Sequence, residues 1–245
     1  LSSFMRFDGG IVSAALVPSS VTFMHDGAKV TVVLETRYPF GDKLKYTVRT
    51  SKAVEFTLRI RIPGFADGAT VDGTSYNPGT YAEIKKIWKG RTEIEVELQF
   101  TPKLVKRPRG LFALWRGPLL FSLPFRYDDI VYEYTKDGVE RKFPYCDYAV
   151  FTTEKWNYAF ASDKFTVAEH DIQTFPFAQE NPPISIDALM REIPWSLKEG
   201  FKGICNEVPD SLESDAPPKT MRLVPYGSTY LRMTEMPLVR DSKKK

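Results

Sequence analysis

The sequence predicts an all-β chain built as two tandem antiparallel β-sandwich domains, jelly-roll-like in kind. Three observations predict this class. Apolar and polar residues alternate with period two over several segments, the pattern of strands with one greasy and one wet face. Asp-Gly pairs, which accept the positive φ angles of tight hairpins, stand at Asp26-Gly27, Asp67-Gly68, Asp72-Gly73 and Asp137-Gly138. Strand-like segments also recur at short spacing with few helical stretches between them, the rhythm of a sandwich or barrel.

The 245 residues suffice for one large β domain or two ordinary ones. A hydrophobic content of 42% and a charged content of 27% belong to a soluble globular protein. No apolar run approaches the roughly 18–20 residues of a membrane span, which argues against a membrane partner. The net charge of +3 is spread along the chain, whereas a nucleic-acid binder concentrates its basic residues on one face. Lys85, Lys86, Lys89 and Arg91, like Lys103, Lys106, Arg107 and Arg109, therefore read as solvated strand ends. No leader segment is visible, and the chain opens on Leu1 rather than methionine, which reads as a fragment.

In the first domain, expected over residues 1–105, the clearest strand is residues 92–100. There Ile94, Val96, Leu98 and Phe100 alternate with Glu93, Glu95, Glu97 and Gln99. Phe56, Leu58, Ile60 and Ile62 alternate in the same way, as do Leu44, Tyr46 and Val48, and Val30, Val32 and Leu34. Such one-sided strands suit antiparallel sheets that pack apolar face to apolar face. Pro102 and Pro108 bracket a basic stretch at residues 101–110 that reads as a short linker or crossover.

The second domain is expected over residues 106–240, with residues 241–245 as a disordered tail. Residues 111–115 and 119–123 are continuous apolar runs around Gly117-Pro118, and such runs suit strands buried on both faces. Further strands are expected at 148–152, 156–160, 164–167, 184–189 and 229–234. Pro176, Pro182, Pro183, Pro194, Pro209, Pro217 and Pro218 imply irregular connections, and the polar stretch 196–219 reads as a mobile loop.

No constellation of residues points to catalysis. There is no nucleophile elbow, no phosphate-binding glycine loop and no metal-ligand spacing, so catalytic, cofactor-binding and metal residues are all expected to be none. His25 precedes Asp26-Gly27 and reads as an exposed hairpin tip. His170 lies between Glu169 and Asp171, the composition of a pH-sensitive or metal site, although a surface loop is the simpler reading. Cys146 and Cys205 are either free thiols or one disulfide, which geometry decides. Glu93, Glu95 and Glu97 share a strand face and read as a solvated face rather than a glycosidase pair. Trp88, Trp115, Trp156 and Trp195 could form a sugar platform, but large aromatics also fill sandwich cores. Trp115 reads as core, and Trp88, at a turn, as the cover of a sheet end or of a neighbouring domain.

A series of segments resembles a known family. In order, these are residues 10–23 (GIVSAALVPSSVTF), 35–40 (ETRYPF), 56–65 (FTLRIRIPGF), 79–88 (GTYAEIKKIW), 114–119 (LWRGPL), 156–159 (WNYA), 183–195 (PISIDALMREIPW) and 223–237 (LVPYGSTYLRMTEMP). Together they resemble the C-terminal β-sandwich region of glycoside hydrolase family 127, the β-L-arabinofuranosidase-like proteins. Phe65 in place of tryptophan, Asp72-Gly73 in place of Asn-Gly and Lys89-Gly90-Arg91 in place of a Gly-Asp turn depart from the pattern, and residues 128–146 and 196–219 match nothing.

The resemblance implies an N-terminal α/α-barrel catalytic domain, missing here, with a cysteine nucleophile beside a cysteine- and glutamate-bound zinc. Its adjacent cysteines would fall upstream of Leu1, and neither Cys146 nor Cys205 inherits their role. Zinc is thus expected in the missing domain and no cofactor in this chain, while residues 1–20 look like the exit segment from the barrel. The implied function is a non-catalytic accessory region of a glycoside hydrolase acting on L-arabinofuranosides. It would support the barrel, with a homodimer and a glycan as further candidate partners. The alternative is a stand-alone carbohydrate-binding sandwich.

Overall fold

The computed structural model describes residues 3–200 and 203–239, so the tail at 241–245 lies outside the described residues. The chain forms two compact units, the first running to Thr101 and including Arg116–Leu119, the second comprising Pro102–Trp115 and the chain from Leu120 onward. Strands make up nearly all the regular structure, and only two short 3-10 turns interrupt them among the described residues.

The first unit holds β1 (Phe4–Phe7), β2 (Gly10–Ser13), β3 (Ser19–His25), β4 (Ala28–Thr36), β5 (Lys43–Arg61), β6 (Gly68–Val71), β7 (Thr74–Tyr76) and β8 (Tyr81–Gln99). They form one eight-stranded sheet in the order β1-β2-β5-β8-β6-β7, with β3 and β4 branching from β5. All pairings are antiparallel except β2 with β5, where Gly10–Ser13 runs parallel to Thr57–Ile60.

The two long strands make this single sheet into a sandwich. The register of β5 and β8 is regular from Lys43↔Glu97 to Thr50↔Gly90, and again from Val54↔Trp88 to Arg61↔Tyr81. Between these runs Ser51, Lys52 and Ala53 oppose Lys89 alone. Extra residues on one strand bend and twist a pair at that point. The sheet folds there, and its two halves bury their apolar faces on each other. Phe23 of β3 meets Phe56 of β5 edge-on at 6.1 Å, and Tyr46 of β5 shares a 2.8 Å hydrogen bond with Ser13 of β2. The alternating runs Leu44–Val48 and Phe56–Ile60, which read as separate strands, thus lie on one strand, β5, and the run that begins at Thr92 continues β8 from Tyr81. Lys89-Gly90-Arg91 is a corner inside β8 and not a turn.

Three of the four Asp-Gly pairs close tight hairpins, with positive φ at both residues: Asp26-Gly27, Asp72-Gly73 and Asp137-Gly138. Asp67-Gly68 instead leads into β6, where Asp67 accepts a hydrogen bond from the Thr101 N–H at 2.8 Å.

Tyr46 is fully buried, and burial pushes its phenol pKa well above the usual 10.0. The folded state therefore favours the neutral ring. This stabilisation is complete below pH 10 and is lost as pH rises toward the raised folded value, at up to about 1.4 kcal/mol per pH unit. Tyr46→Phe is expected to cost about 1 kcal/mol at pH 7, from the lost Ser13 hydrogen bond. It should also flatten the loss of stability above pH 10, as read by urea unfolding across pH 8–12.

The second unit holds β9 (Lys103–Lys106), β10 (Leu111–Arg116), β11 (Leu119–Pro124), β12 (Asp128–Tyr132), β13 (Tyr134–Lys136), β14 (Val139–Arg141), β15 (Asp147–Phe151), β16 (Tyr158–Glu169), β17 (Ile184–Glu192), β18 (Lys219–Pro225), β19 (Arg232–Met233) and β20 (Glu235–Pro237). Its main sheet runs β16-β17-β18-β11-β10-β20, with β9 beside β10 and β19 beside β11. A parallel bridge between Phe160 and Leu238 brings the two ends of this order together. Leu114, Phe121, Phe160, Ile186, Met190 and Leu223 fill the core. The runs at β10 and β11 are buried on both faces for much of their length, as continuous apolar strands should be.

Several sequence expectations are corrected here. The supposed linker at 101–110 contains β9, a lysine-bearing edge strand. The segments 156–160 and 164–167 join in β16, with a register shift between Phe160 and Phe165. The stretch expected as a mobile loop, 196–219, is irregular over 207–218, and near its start Asn206 donates to Ser196 Oγ at 2.9 Å and to Leu197 O at 3.1 Å. It ends in β18, whose Lys219–Leu223 segment pairs with β17.

Candidate functional site

The residues singled out in the sequence lie far apart in role. His25 stands at the end of β3, yet its ring is largely covered. It packs edge-on against Phe56 at 5.9 Å, with Nε2 3.2 Å from Glu55 O, so the expectation of an exposed tip is corrected. His170 is exposed, with Nε2 3.3 Å from Ser185 Oγ. Cys146 and Cys205 are both free thiols, which closes the disulfide alternative.

The four tryptophans offer no exposed platform. Trp88 is 1% exposed, stacks on Phe56 at 5.0 Å and donates its indole N–H to Phe56 O at 2.9 Å. It belongs to the core of the first unit and does not cover a turn. Trp156 and Trp195 meet edge-on at 5.4 Å in the second unit, and Trp115 is half-buried.

The basic clusters are paired locally. Lys85 reaches Glu55 at 3.4 Å, Lys86 lies over the Trp88 ring at 4.5 Å, and Arg91 meets Glu93 at 2.5 Å. Arg107 and Arg109 bind Glu235 and Glu207 at 2.7 and 2.8 Å. The opposite charges paired with Lys85, Arg91, Arg107 and Arg109 partly neutralise these clusters.

The first unit carries an open cleft of about 850 Å³ on the outer face of its sheet. Glu35, Lys43, Lys45, Asp72, Glu95 and Glu97 contribute to its lining. It arises because β4, β5, β8 and β6 lie side by side there and point every second residue outward. Lys43 opposes Glu97, and Lys45 opposes both Glu95 and Glu35. Asp72 Oδ1 accepts the Glu95 N–H at 2.8 Å, which fixes the β6–β7 turn against β8. Beside the cleft, Glu93 is held ionised by hydrogen bonds from Lys45 and then Arg91, which lower its pKa below the usual carboxylate value. A glycosidase general acid needs the opposite shift. The face sets carboxylates and ammonium groups side by side and is able to hydrogen-bond polar groups.

The second unit has a smaller groove of about 290 Å³, lined among others by Arg109, Trp195, Cys205, Asn206 and Met233. Trp195 donates to Asn206 O at 2.9 Å, which holds the two residues together in one wall. Elsewhere in this unit lies an aromatic cluster that sequence reasoning missed. Tyr127 and Tyr230 meet edge-on at 6.1 Å, and the Arg232 guanidinium stacks on Tyr226 at 3.6 Å. Tyr127 stands about a hundred residues before Tyr226, Tyr230 and Arg232, and no local pattern connects it to them.

These residues do not fit the cysteine- and glutamate-bound zinc that the resemblance implies for a barrel. Among the described residues no three His, Cys, Asp or Glu side chains come together as a metal-binding group. No zinc-dependent step is therefore assigned to this chain.

Residues 10–100 match the family described as Beta-L-arabinofuranosidase, GH127 middle domain. The match is to a middle domain, which refines the resemblance to a C-terminal region. No curated protein matches the sequence. Among solved structures, a GH127 β-L-arabinofuranosidase from Geobacillus stearothermophilus T6 is similar over 97% of this chain and 35% of its own, at 20% identity and a TM-score of 0.60. A glycoside hydrolase is similar over 97% of this chain and 37% of its own, at 18% identity and a TM-score of 0.58. A GH127 β-arabinofuranosidase covers 94% of this chain and 35% of its own, at 15% identity and a TM-score of 0.58. The chain thus shares the fold of a segment spanning about a third of these longer proteins, and its residues 10–100 carry the sequence pattern of the GH127 middle domain.

Proposed function

We propose that this chain is a non-catalytic accessory β-sandwich region of a longer glycoside hydrolase acting on L-arabinofuranosides. The first unit is the middle domain, and the second is the C-terminal sandwich that follows it. Their role is to support an N-terminal α/α-barrel, which holds the zinc and performs the hydrolysis. The observation that carries this reading is the match of residues 10–100 to a middle domain, in a chain spanning about a third of its structural relatives.

The test is hydrolysis of an aryl β-L-arabinofuranoside by the purified 245-residue chain, with and without added zinc. The chain is expected to unfold cooperatively, as a folded protein does, and to release no aryl group. Turnover by this chain alone contradicts the reading.

A stand-alone carbohydrate-binding sandwich is the second reading. The exposed Tyr226 and Tyr230 beside Arg232 favour it, since sugar C–H faces pack on rings. Calorimetric titration with arabinose-rich oligosaccharides tests it, and the absence of heat at millimolar sugar removes its support.

A further inference from the structure

The aromatic cluster of the second unit is built around one arginine. Arg232 lies on β19 and pairs with Pro124 of β11. Its Nη1 donates to Thr229 O and, at 3.0 Å, to Tyr230 O, while the guanidinium stacks on the Tyr226 ring. These contacts fix the plane of the group and use both Nη1 hydrogens. Nε and Nη2 have no hydrogen-bond partner among the described residues, and both reach solvent. No described carboxylate is ion-paired with Arg232. The edge left open carries two parallel N–H donors, the fork that grips a carboxylate at two points. A cation fixed in place without a counter-charge favours an anion there. Exposed rings flank it. Tyr226 and Tyr230 are 45% and 83% exposed, and Tyr127 supports Tyr230 edge-on. Phe177 packs on Gly227, where a Cβ would meet its ring at 3.2 Å.

We infer that this cluster is a binding site for a uronic acid unit of a saccharide. The carboxylate sits on the Nε and Nη2 edge of Arg232, and the sugar ring lays its C–H face on Tyr230. A neutral sugar would leave the charge of the fork unused, and a small free carboxylate would leave the rings unused. A sugar that carries its own carboxylate uses both. The strand pairing of Arg232 and its bonds to two carbonyls hold the fork ready before the ligand arrives, which lowers the ordering cost of binding. The inference rests on the carbohydrate-binding reading for the rings and goes beyond it in assigning the charge. It is independent of hydrolysis by a barrel.

Calorimetric titration of the full chain with trigalacturonate, in about 50 mM salt to limit screening, tests it. A Kd of about 1 mM or tighter is expected. The methyl ester keeps the sugar rings and removes the charge, and it should bind about tenfold more weakly or worse. Acetate keeps the charge and removes the ring, and it should also bind about tenfold more weakly or worse. Arg232→Lys loses the fork and should weaken trigalacturonate binding about tenfold. Tyr230→Ala, at a ring the fold leaves open, should weaken acid and ester alike by about fivefold, so the test stays decisive if Arg232→Lys loosens its turn. No heat with about 10 mM trigalacturonate overturns the proposal, even if arabinose-rich oligosaccharides bind. Binding that neither substitution changes overturns it as well. Equal affinity for acid and ester overturns the assignment of charge and leaves the neutral-sugar reading standing. Equal affinity for acetate overturns the assignment of a sugar.

Discussion

Trp88→Ala is expected to destabilise the first unit by about 3–5 kcal/mol, the range for deleting a large buried ring. Two terms combine here. The indole is 1% exposed and stacked on Phe56, so truncation opens a cavity in the centre of the sandwich. The lost indole N–H also leaves Phe56 O without its 2.9 Å donor, at a further cost of about 1 kcal/mol. Trp88→Phe separates the terms, because it fills most of the space and removes only the donor. It should cost less than half as much. Both values are read from the first transition in urea unfolding. Equal stability of Trp88→Ala and wild type would mean that the corner of β8 does not bury this ring.

Asp42→Ala should cost about 3 kcal/mol, because it leaves a buried guanidinium without its carboxylate. Arg116 is 5% exposed, donates to Asp42 Oδ2 at 3.1 Å and lies over the Phe100 ring at 5.7 Å. The Asp42 backbone carbonyl also accepts the Leu98 N–H at 2.8 Å, a bond that the substitution retains. The charge pair can therefore be tested apart from the local backbone. Replacing both partners, as Asp42→Ala with Arg116→Met, removes the uncompensated charge and should be less destabilising than Asp42→Ala alone. Simple additivity in this double-mutant cycle would show that the pair is not coupled.

The sequence reveals most where one face of a strand meets water. The alternation of Ile94, Val96 and Leu98 with glutamates is direct, because that half of β8 has a solvated side. Three Asp-Gly hairpins are legible for the same local reason, since the turn itself demands those residues. The corner at Lys89-Gly90-Arg91 is not legible. Glycine between basic residues looks like a hairpin turn, and only pairing with the bulged stretch of β5 keeps the strand continuous. Trp88 was misread as a consequence, because its sequence neighbours are charged while its contacts come from Phe56, 32 residues away. β9 hid between two prolines as a basic segment, which is what an edge strand exposed to solvent looks like. Of the paired strands β12 and β15, β15 matches the strand expected at 148–152, whereas β12 has no apolar periodicity to detect, since neither of its faces is buried. The cleft on the first unit was legible as a charged face, but its shape depends on four strands brought together by topology.

The central claim is that these sandwiches serve a catalytic domain encoded ahead of them. The most direct measurement is the coding sequence immediately upstream of the Leu1 codon. The account predicts a long helix-rich segment that ends in paired cysteines, the barrel of a zinc-dependent arabinofuranosidase-like enzyme. A start codon or a secretion leader directly before Leu1 would contradict it, and the sandwiches would then act alone.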